Sequence, residues 1–219
     1  MPEFTSPAPA AAALRSADRR QRKKQRTRDA LIRAAMELFE AKGYPDTPVH
    51  EITDAVDVSE RTFFRYFTSK EDLVLAPIKD SAAQFARLLA QRPPGEDPFT
   101  AARCAYHALL AELAQAGGEH VSSYLAVIAL IESTPALLAA HLRYTHEDDD
   151  HVVQVLAARE GVDARTDPRP RLLAATMGTI ASLANRDWRA SQDHSLATLA
   201  AAFDTYAGQL AAALAGHWS

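Results

Sequence analysis

One cysteine, Cys104, stands in a chain of 219 residues. That excludes an intramolecular disulfide framework and any cysteine-rich zinc site, and it suits a reducing compartment. Glycine is scarce, at 8, and aromatic residues make up only 7%. With abundant Ala, Leu, Arg and Glu, this usage disfavours a β-sandwich or barrel and favours helix. The longest apolar run, Tyr124 to Ile131, falls far short of the ~20 residues that cross a bilayer, so no membrane partner is expected. The opening MPEFTSPAPAAAAL has no basic residue ahead of its small apolar stretch. It is not expected to act as a secretory signal, which implies a cytoplasmic location. There is no Walker loop, no dinucleotide-binding glycine fingerprint, no nucleophile elbow and no H-E-x-x-H pair. No acid/base or nucleophilic constellation stands in their place, so neither an enzyme nor a cofactor is expected.

What is present is a globular composition, 47% apolar and 24% charged, enough for one large domain or a small one joined to a larger. The net charge of −4 is unevenly placed. Residues 1–80 hold 14 Lys/Arg against 13 Asp/Glu, and residues 81–219 hold 10 against 15. Arg15 to Arg28 carries eight cations and one acid, Asp18. Such a run repels itself and stays extended until it meets opposite charge. It reads either as a solvated tail or as an arm lying along nucleic acid, where each neutralised phosphate releases a counterion.

The chain reads as all-α, with about nine helices. Residues 1–18, rich in Pro and Ala, are expected to be a disordered tail. A first helix is predicted from Thr27 to Lys42, on the spacing of Leu31, Ala34, Ala35, Leu38 and Phe39, and it closes at Gly43. Thr47-Pro48 reads as a cap followed by a first-turn proline, opening a short helix to Val56. Ser59 caps a third helix and Ser69 a fourth, which reaches Ala90 past Pro77. Residues 91–98 and 163–170 are loops. Helices are predicted over 99–116, 119–133, 135–160, 171–189 and 195–216. The domains expected are 19–68, a helix-turn-helix with its basic arm, and 69–219, with helix four (69–90) linking the two.

Residues 49–67, V-H-E-I-T-D-A-V-D-V-S-E-R-T-F-F-R-Y-F, place two short helices around a tight turn, the pattern of a helix-turn-helix. Phe63 and Phe67 lie four apart and should pack inward against Ile52, Val56 and Leu38. The opposite face then presents Arg61, Thr62, Arg65 and Tyr66. Arginine can bond guanine O6 and N7 bidentately, threonine offers a hydroxyl and a methyl, and tyrosine can reach phosphate.

The stretches A-L-I-R-A-A-M-E-L-F-E-A-K-G-Y and T-P-V-H-E-I-T-D-A-V-D-V-S-E-R-T-F-F-R-Y-F-T-S-K-E-D-L resemble the TetR/AcrR family of transcriptional regulators, over about residues 27–75. L-I-E-S-T-P-A-L (130–137) and R-P-R-L-L-A-A (169–175) look like the subgroup whose C-terminal domain resembles mycofactocin-system regulators. The resemblance implies a homodimer on a palindromic operator in double-stranded DNA, a repressor released when a small-molecule effector enters the C-terminal domain. It implies that Arg61, Thr62, Phe64 and Arg65 face bases and that Thr47, Tyr66 and Lys70 hold phosphates. Phe64 stands where the family commonly has Tyr, which favours apolar contact with a thymine methyl. Asp57 replaces a common turn glycine, and Asp tolerates the left-handed conformation better than most residues. The basic arm, Arg20 to Arg26, would lie in the minor groove.

The C-terminal region has two late helices that are apolar over a broad arc, a sign of burial on more than one side. The resemblance points to a four-helix interface between copies, with Ile180, Leu183, Leu199, Phe203 and Leu210 as its candidates. Candidates for a mostly apolar effector site are Tyr106, His107, Leu110, Tyr124, Ile128, His141, Tyr144, Thr145, Met177 and Trp188. The resemblance suggests a lipid-like or acyl-coenzyme-A-like ligand. H-E-D-D-D-H (146–151) invites a metal reading, but His146 and His151 fall on different helix faces, so a solvated acidic patch is expected. Asp149 falls on the apolar side, where it would pair with an arginine or touch a ligand. Effector binding is expected to swing helix four, with Pro77 as a place for it to bend, and to spoil the match of the recognition helices to their half-sites. Rival readings are an activator or a ligand-independent DNA-binding protein of this fold, and an enzyme using the C-terminal cavity.

Overall fold

A computed structural model describes the backbone at residues 9–147 and 149–216, and side chains over 18–115, 117, 124, 126–144 and 151–216. The described residues are helical, with no strand among them: α1 (Pro9–Lys42), α2 (Val49–Asp54), α3 (Glu60–Tyr66), α4 (Lys70–Ala90), α5 (Pro98–Ala116), α6 (Gly118–Ser133), α7 (Pro135–Glu147), α8 (Asp149–Glu160), α9 (Arg169–Ala190) and α10 (Leu196–Leu214). The long helix expected over 135–160 corresponds to α7 and α8, which flank Asp148, a residue outside the described set. The chain divides into two compact units, residues 1–74 and 75–219, with the division inside α4.

In the first unit α1 runs 18 residues further toward the N-terminus than its apolar periodicity predicts. From Pro9 onward the expected tail is helical, and residues 1–8 lie outside the described set. Ala10 to Ala13 are strong helix formers. The apolar face of α1, Leu31, Ala34, Ala35 and Phe39, is buried against α2 and its neighbours. Gly43 ends the helix in the left-handed region (φ 89°), donating its N–H to the Phe39 carbonyl at 2.9 Å. The turn between α2 and α3 holds the positive φ expected of its missing glycine: Asp57 sits at 53°, and it is the non-glycine residue with positive φ among those described. Beneath the turn, the buried Thr53 hydroxyl donates to the His50 carbonyl at 2.9 Å.

The second unit has its own core. Trp188, Phe203, Leu89, Leu156 and Leu199 are fully buried within it, beside Met177 and Ile180. α9 packs on α8 and α10. Asp97 and Ser195 cap α5 and α10 by accepting from the Thr100 and Thr198 amides at 2.9 and 3.2 Å. The Arg159 guanidinium donates to the carbonyls of Leu89, Arg92 and Pro93, taking up acceptors that the end of α4 leaves open.

This core takes up three of the five residues expected at a dimer face. Ile180, Leu199 and Phe203 are spent inside their own protomer, Phe203 at 0% exposure, and Leu183 and Leu210 are half-buried. An apolar arc states that a residue is covered, not by which chain. The outward side of α9 and α10 carries Leu172 (63% exposed), Ala175, Gly178, Thr179, Ser182, Ala197, Ala201 and Gly208 instead. A methyl group added at Gly178 or Gly208 would meet nothing within 4 Å beyond its chain neighbours and the backbone of its own helix.

Candidate nucleic-acid interface and effector unit

The N-terminal unit builds its outward surface on a fixed base. Ser59 caps α3, its Oγ accepting from the Thr62 amide at 3.2 Å, and Glu60 occupies the positive end of the helix. Phe63 and Phe67 are buried, their ring centroids 5.4 Å apart. This leaves Arg61, Phe64 and Arg65 exposed and Thr62 and Tyr66 half-exposed. Phe64 is 54% exposed and meets the Phe63 ring edge-on at 5.2 Å. The Arg65 guanidinium lies 5.2 Å over the Tyr66 ring. Two guanidinium groups, a hydroxyl and an exposed phenyl therefore share the outer side of a seven-residue helix, a width that the major groove admits. Arg26 is exposed on α1.

Two residues expected at phosphates make contacts within the unit. Thr47 is fully buried. Its hydroxyl donates inward to the Gly43 carbonyl at 2.9 Å, and α2 begins after Pro48 with no side-chain cap. Lys70 is turned toward the loop joining α1 and α2. Its ammonium donates to the carbonyls of Tyr44 (2.6 Å) and Thr47 (2.9 Å) and stands 4.2 Å over the Tyr44 ring. Two of its three N–H donors are thus engaged within the unit. Partial burial lowers its pKa against the pull of Glu71 and Asp46. Next to it, the Tyr44 hydroxyl donates to Glu71 at 2.7 Å. Burial opposes ionisation of Glu71, but hydrogen bonds from Tyr44, its own backbone and Ser69 outweigh it and hold the carboxyl below its ordinary value. Burial and the same carboxylate push the Tyr44 phenol up. Sequence reasoning missed this cluster, although Tyr44, Lys70 and Glu71 all stand within the recognised motif.

The residues expected to line an effector site divide. Tyr106, Leu110, Met177 and Trp188 are buried, and Tyr106 stacks on Phe203 with centroids 3.9 Å apart. Tyr124, Ile128, His141 and Tyr144 are half-buried, and the Thr145 side chain lies outside the described residues. Burial raises the pKa of Tyr106 and Tyr124 and lowers that of His141 against the pull of Glu132. His107 does not join the interior: its Nε2 lies 3.0 Å from the carboxylate of Asp204, itself exposed on α10. Three buried nitrogens have no hydrogen-bond partner among the described residues, Trp188 Nε1, His141 Nδ1 and Arg159 Nε, and the Arg159 guanidinium is already bonded through its other nitrogens. The ion pair of Arg189 with Glu132 ties the neighbourhood of Trp188 to the end of α6. A separate cleft of about 150 Å³, lined by Pro98, Leu156, Glu160, Val162, Arg169, Pro170 and Leu173, contains none of the expected lining residues. The side chains of His146 to Asp150 lie outside the described residues. No metal-binding cluster occurs among the described ones, and no single described helix is long and apolar enough to cross a membrane.

Residues 31–76 match the family model of bacterial regulatory proteins, tetR family, and residues 97–215 match the MftR C-terminal domain. The chain belongs to the TetR family. It is 41% identical over 201 residues, 91% of this chain and 89% of the other, to the HTH-type transcriptional regulator TcmR of Streptomyces glaucescens. A TetR-family regulator from Mesorhizobium loti shares the fold, at 19% identity and a TM-score of 0.51 over 87% of this chain and 97% of that one. The TetR-family repressor FadR of Thermus thermophilus, solved with lauroyl-CoA, is 26% identical with a TM-score of 0.50 over 84% of this chain and 93% of its own. The protein is a DNA-binding transcriptional regulator with a TetR helix-turn-helix and an MftR-like C-terminal domain.

Proposed function

We propose that this TetR-family regulator is a homodimeric repressor that holds a palindromic operator and releases it when a small molecule enters the C-terminal unit. The observation that carries the operator half is the outward set Arg61, Phe64 and Arg65 on a helix pinned from beneath by buried Phe63 and Phe67. Arg61 and Arg65 read guanine edges, Thr62 and Phe64 read thymine methyls, and Tyr66 and Arg26 meet phosphates. Lys70 has one N–H left for a phosphate and serves mainly to position the unit. Two copies are required, because paired recognition helices must reach major grooves about 34–36 Å apart. The dimer forms through the outward side of α9 and α10. Glycine in a helix interior costs roughly 0.5–1 kcal/mol relative to alanine, and neither Gly178 nor Gly208 is required by contacts within the protomer.

The effector half rests on Trp188 Nε1 and His141 Nδ1. A buried polar atom left unpaired is costly, and polar atoms of a ligand would supply partners for these groups. The ligand is mostly apolar, with acceptor atoms, and it favours a state whose recognition helices miss the half-site spacing. The experiment is a binding titration of the full chain on a fragment of its own upstream DNA, with lauroyl-CoA as the first probe. A sequence-selective complex that lauroyl-CoA dissolves supports the whole reading. Binding without selectivity over random duplex refutes the operator assignment. Transcription that falls in a reporter strain lacking this chain refutes repression in favour of activation.

A further inference from the structure

We propose that the basic segment ahead of Thr27 meets DNA as a helix laid across the phosphate backbone, and not as a strand threaded into the minor groove. The proposal rests on the reading of the N-terminal unit as operator-binding and adds how its arm is built.

α1 is one helix with two characters. Its second half is buried through Leu31, Ala35 and Phe39, whereas every residue from 18 to 26 is exposed. At a rise of 1.5 Å per residue, Pro9 to Arg26 amounts to roughly 26 Å of helix ahead of the packed part. Arg19, Arg22 and Arg26 follow the i, i+3, i+7 spacing and share one stripe, with Lys23 at its margin and Arg33 continuing it onto the folded unit. The segment leaves the unit beside the reading head. Arg28 lies 5.6 Å over the ring of Phe67, the residue that ends α3, and the Tyr66 ring is next to it at 6.3 Å.

Width decides the mode of contact. A helix with its side chains is about 10–12 Å across, and the minor groove is about 6 Å wide. A helical arm cannot be seated there, but a stripe of guanidinium groups can follow phosphates. Charge decides when the helix is firm. Arg19 faces Lys23, and Arg22 faces Arg26, each pair one turn apart, and like charges at that spacing oppose helix formation. Arg22 has a partner in exposed Asp18, Gln25 bonds Asp29, and the Thr27 hydroxyl bonds the Lys23 carbonyl. A polyanion removes the remaining repulsion, so phosphate contact and helicity reinforce each other.

The test compares salt dependence of binding to a short mixed-sequence duplex for the full chain and two variants. Arg19→Ala/Arg22→Ala/Arg26→Ala removes the stripe. Gln21→Pro keeps every charge but breaks the helix at an exposed position. Each lost phosphate contact lowers the slope of log K against log salt by about 0.9, so the triple variant is expected to lose roughly 2–3 and Gln21→Pro a comparable amount. Amide exchange at residues 18–26 is expected to slow on adding duplex in the parent chain and not in Gln21→Pro. A Gln21→Pro variant with the parent slope and affinity overturns the helical arm while leaving the operator reading intact, provided Arg65→Ala still loses selectivity. Failure of the parent chain to bind any duplex overturns both.

Discussion

The Lys70 ammonium donates to the carbonyl of Tyr44 at 2.6 Å and to that of Thr47 at 2.9 Å, fastening the first turn of α4 to the loop that precedes α2. Lys70→Ala leaves two loop carbonyls without their partner. Groups orphaned in this way typically cost about 1–3 kcal/mol. The variant is therefore expected to melt at lower temperature in the absence of DNA, as followed by circular dichroism. A lysine whose main role was phosphate contact would leave that melting temperature unchanged.

The Tyr44 hydroxyl, 2.7 Å from Glu71, gives the same region a pH dependence. The folded pKa of Glu71 lies below its unfolded value. Its contribution to stability is therefore complete above the unfolded value and is lost as pH falls through the folded one. Tyr44→Phe removes a hydrogen bond to the charged form, a loss of about 1 kcal/mol near neutral pH. Denaturant titrations at several pH values are expected to show the difference shrinking in acid. A difference independent of pH would remove Glu71 as its source.

How much of this was legible follows from how local each feature is. The capping by Ser59, the inward pair Phe63 and Phe67, and the turn at Asp57 depend on neighbours within a few residues, so spacing and residue type reveal them. Thr47 misled because a hydroxyl before Pro48 looks like a cap, whereas packing turned it to Gly43. Lys70 finds its acceptors more than twenty residues away, beyond any periodic pattern. Arg15 to Arg28 reads as a coil by charge, yet the helix that begins in the alanines carries through it. Ile180, Leu199 and Phe203 are apolar on the correct arc, and only the packed core reveals that the protomer itself covers them.

Asp57 permits a test of the turn. A non-glycine residue in the left-handed region costs roughly 1–2 kcal/mol, which Asp partly escapes. Asp57→Ala is expected to lower stability by about 1 kcal/mol and Asp57→Gly to match or exceed the parent chain. Chemical denaturation of the three proteins decides it, and an alanine variant as stable as the parent would show that the turn relaxes.

The reading surface separates affinity from stability. Phe64 is more than half exposed, so Phe64→Ala is expected to leave the melting temperature nearly unchanged while reducing preference for one operator position. Arg65→Ala is expected to cost about 1–3 kcal/mol of discrimination for a lost bidentate pair. Competition binding against operators altered one base pair at a time measures both, and unchanged selectivity removes the residue from the reading set.

The dimer face is tested where the protomer itself is indifferent. Gly208 stands within α10 with open space around the position of an added Cβ. Within a single protomer, Gly208→Ala should gain up to roughly 1 kcal/mol from helix propensity, because nothing there resists the methyl. In a pair of copies joined through this face, Gly208→Arg must instead bury a charge or force the helices apart, and either breaks the pair. The expected outcome is a monomer by sedimentation that keeps its helical content but holds the operator weakly, since one recognition helix acts without the other. Phe203→Ala supplies the contrast. Phe203 is wholly buried in the protomer, so its truncation costs about 3–5 kcal/mol of folding stability whatever the oligomeric state. A Gly208→Arg chain that remains a dimer with parent affinity would place the interface on another surface.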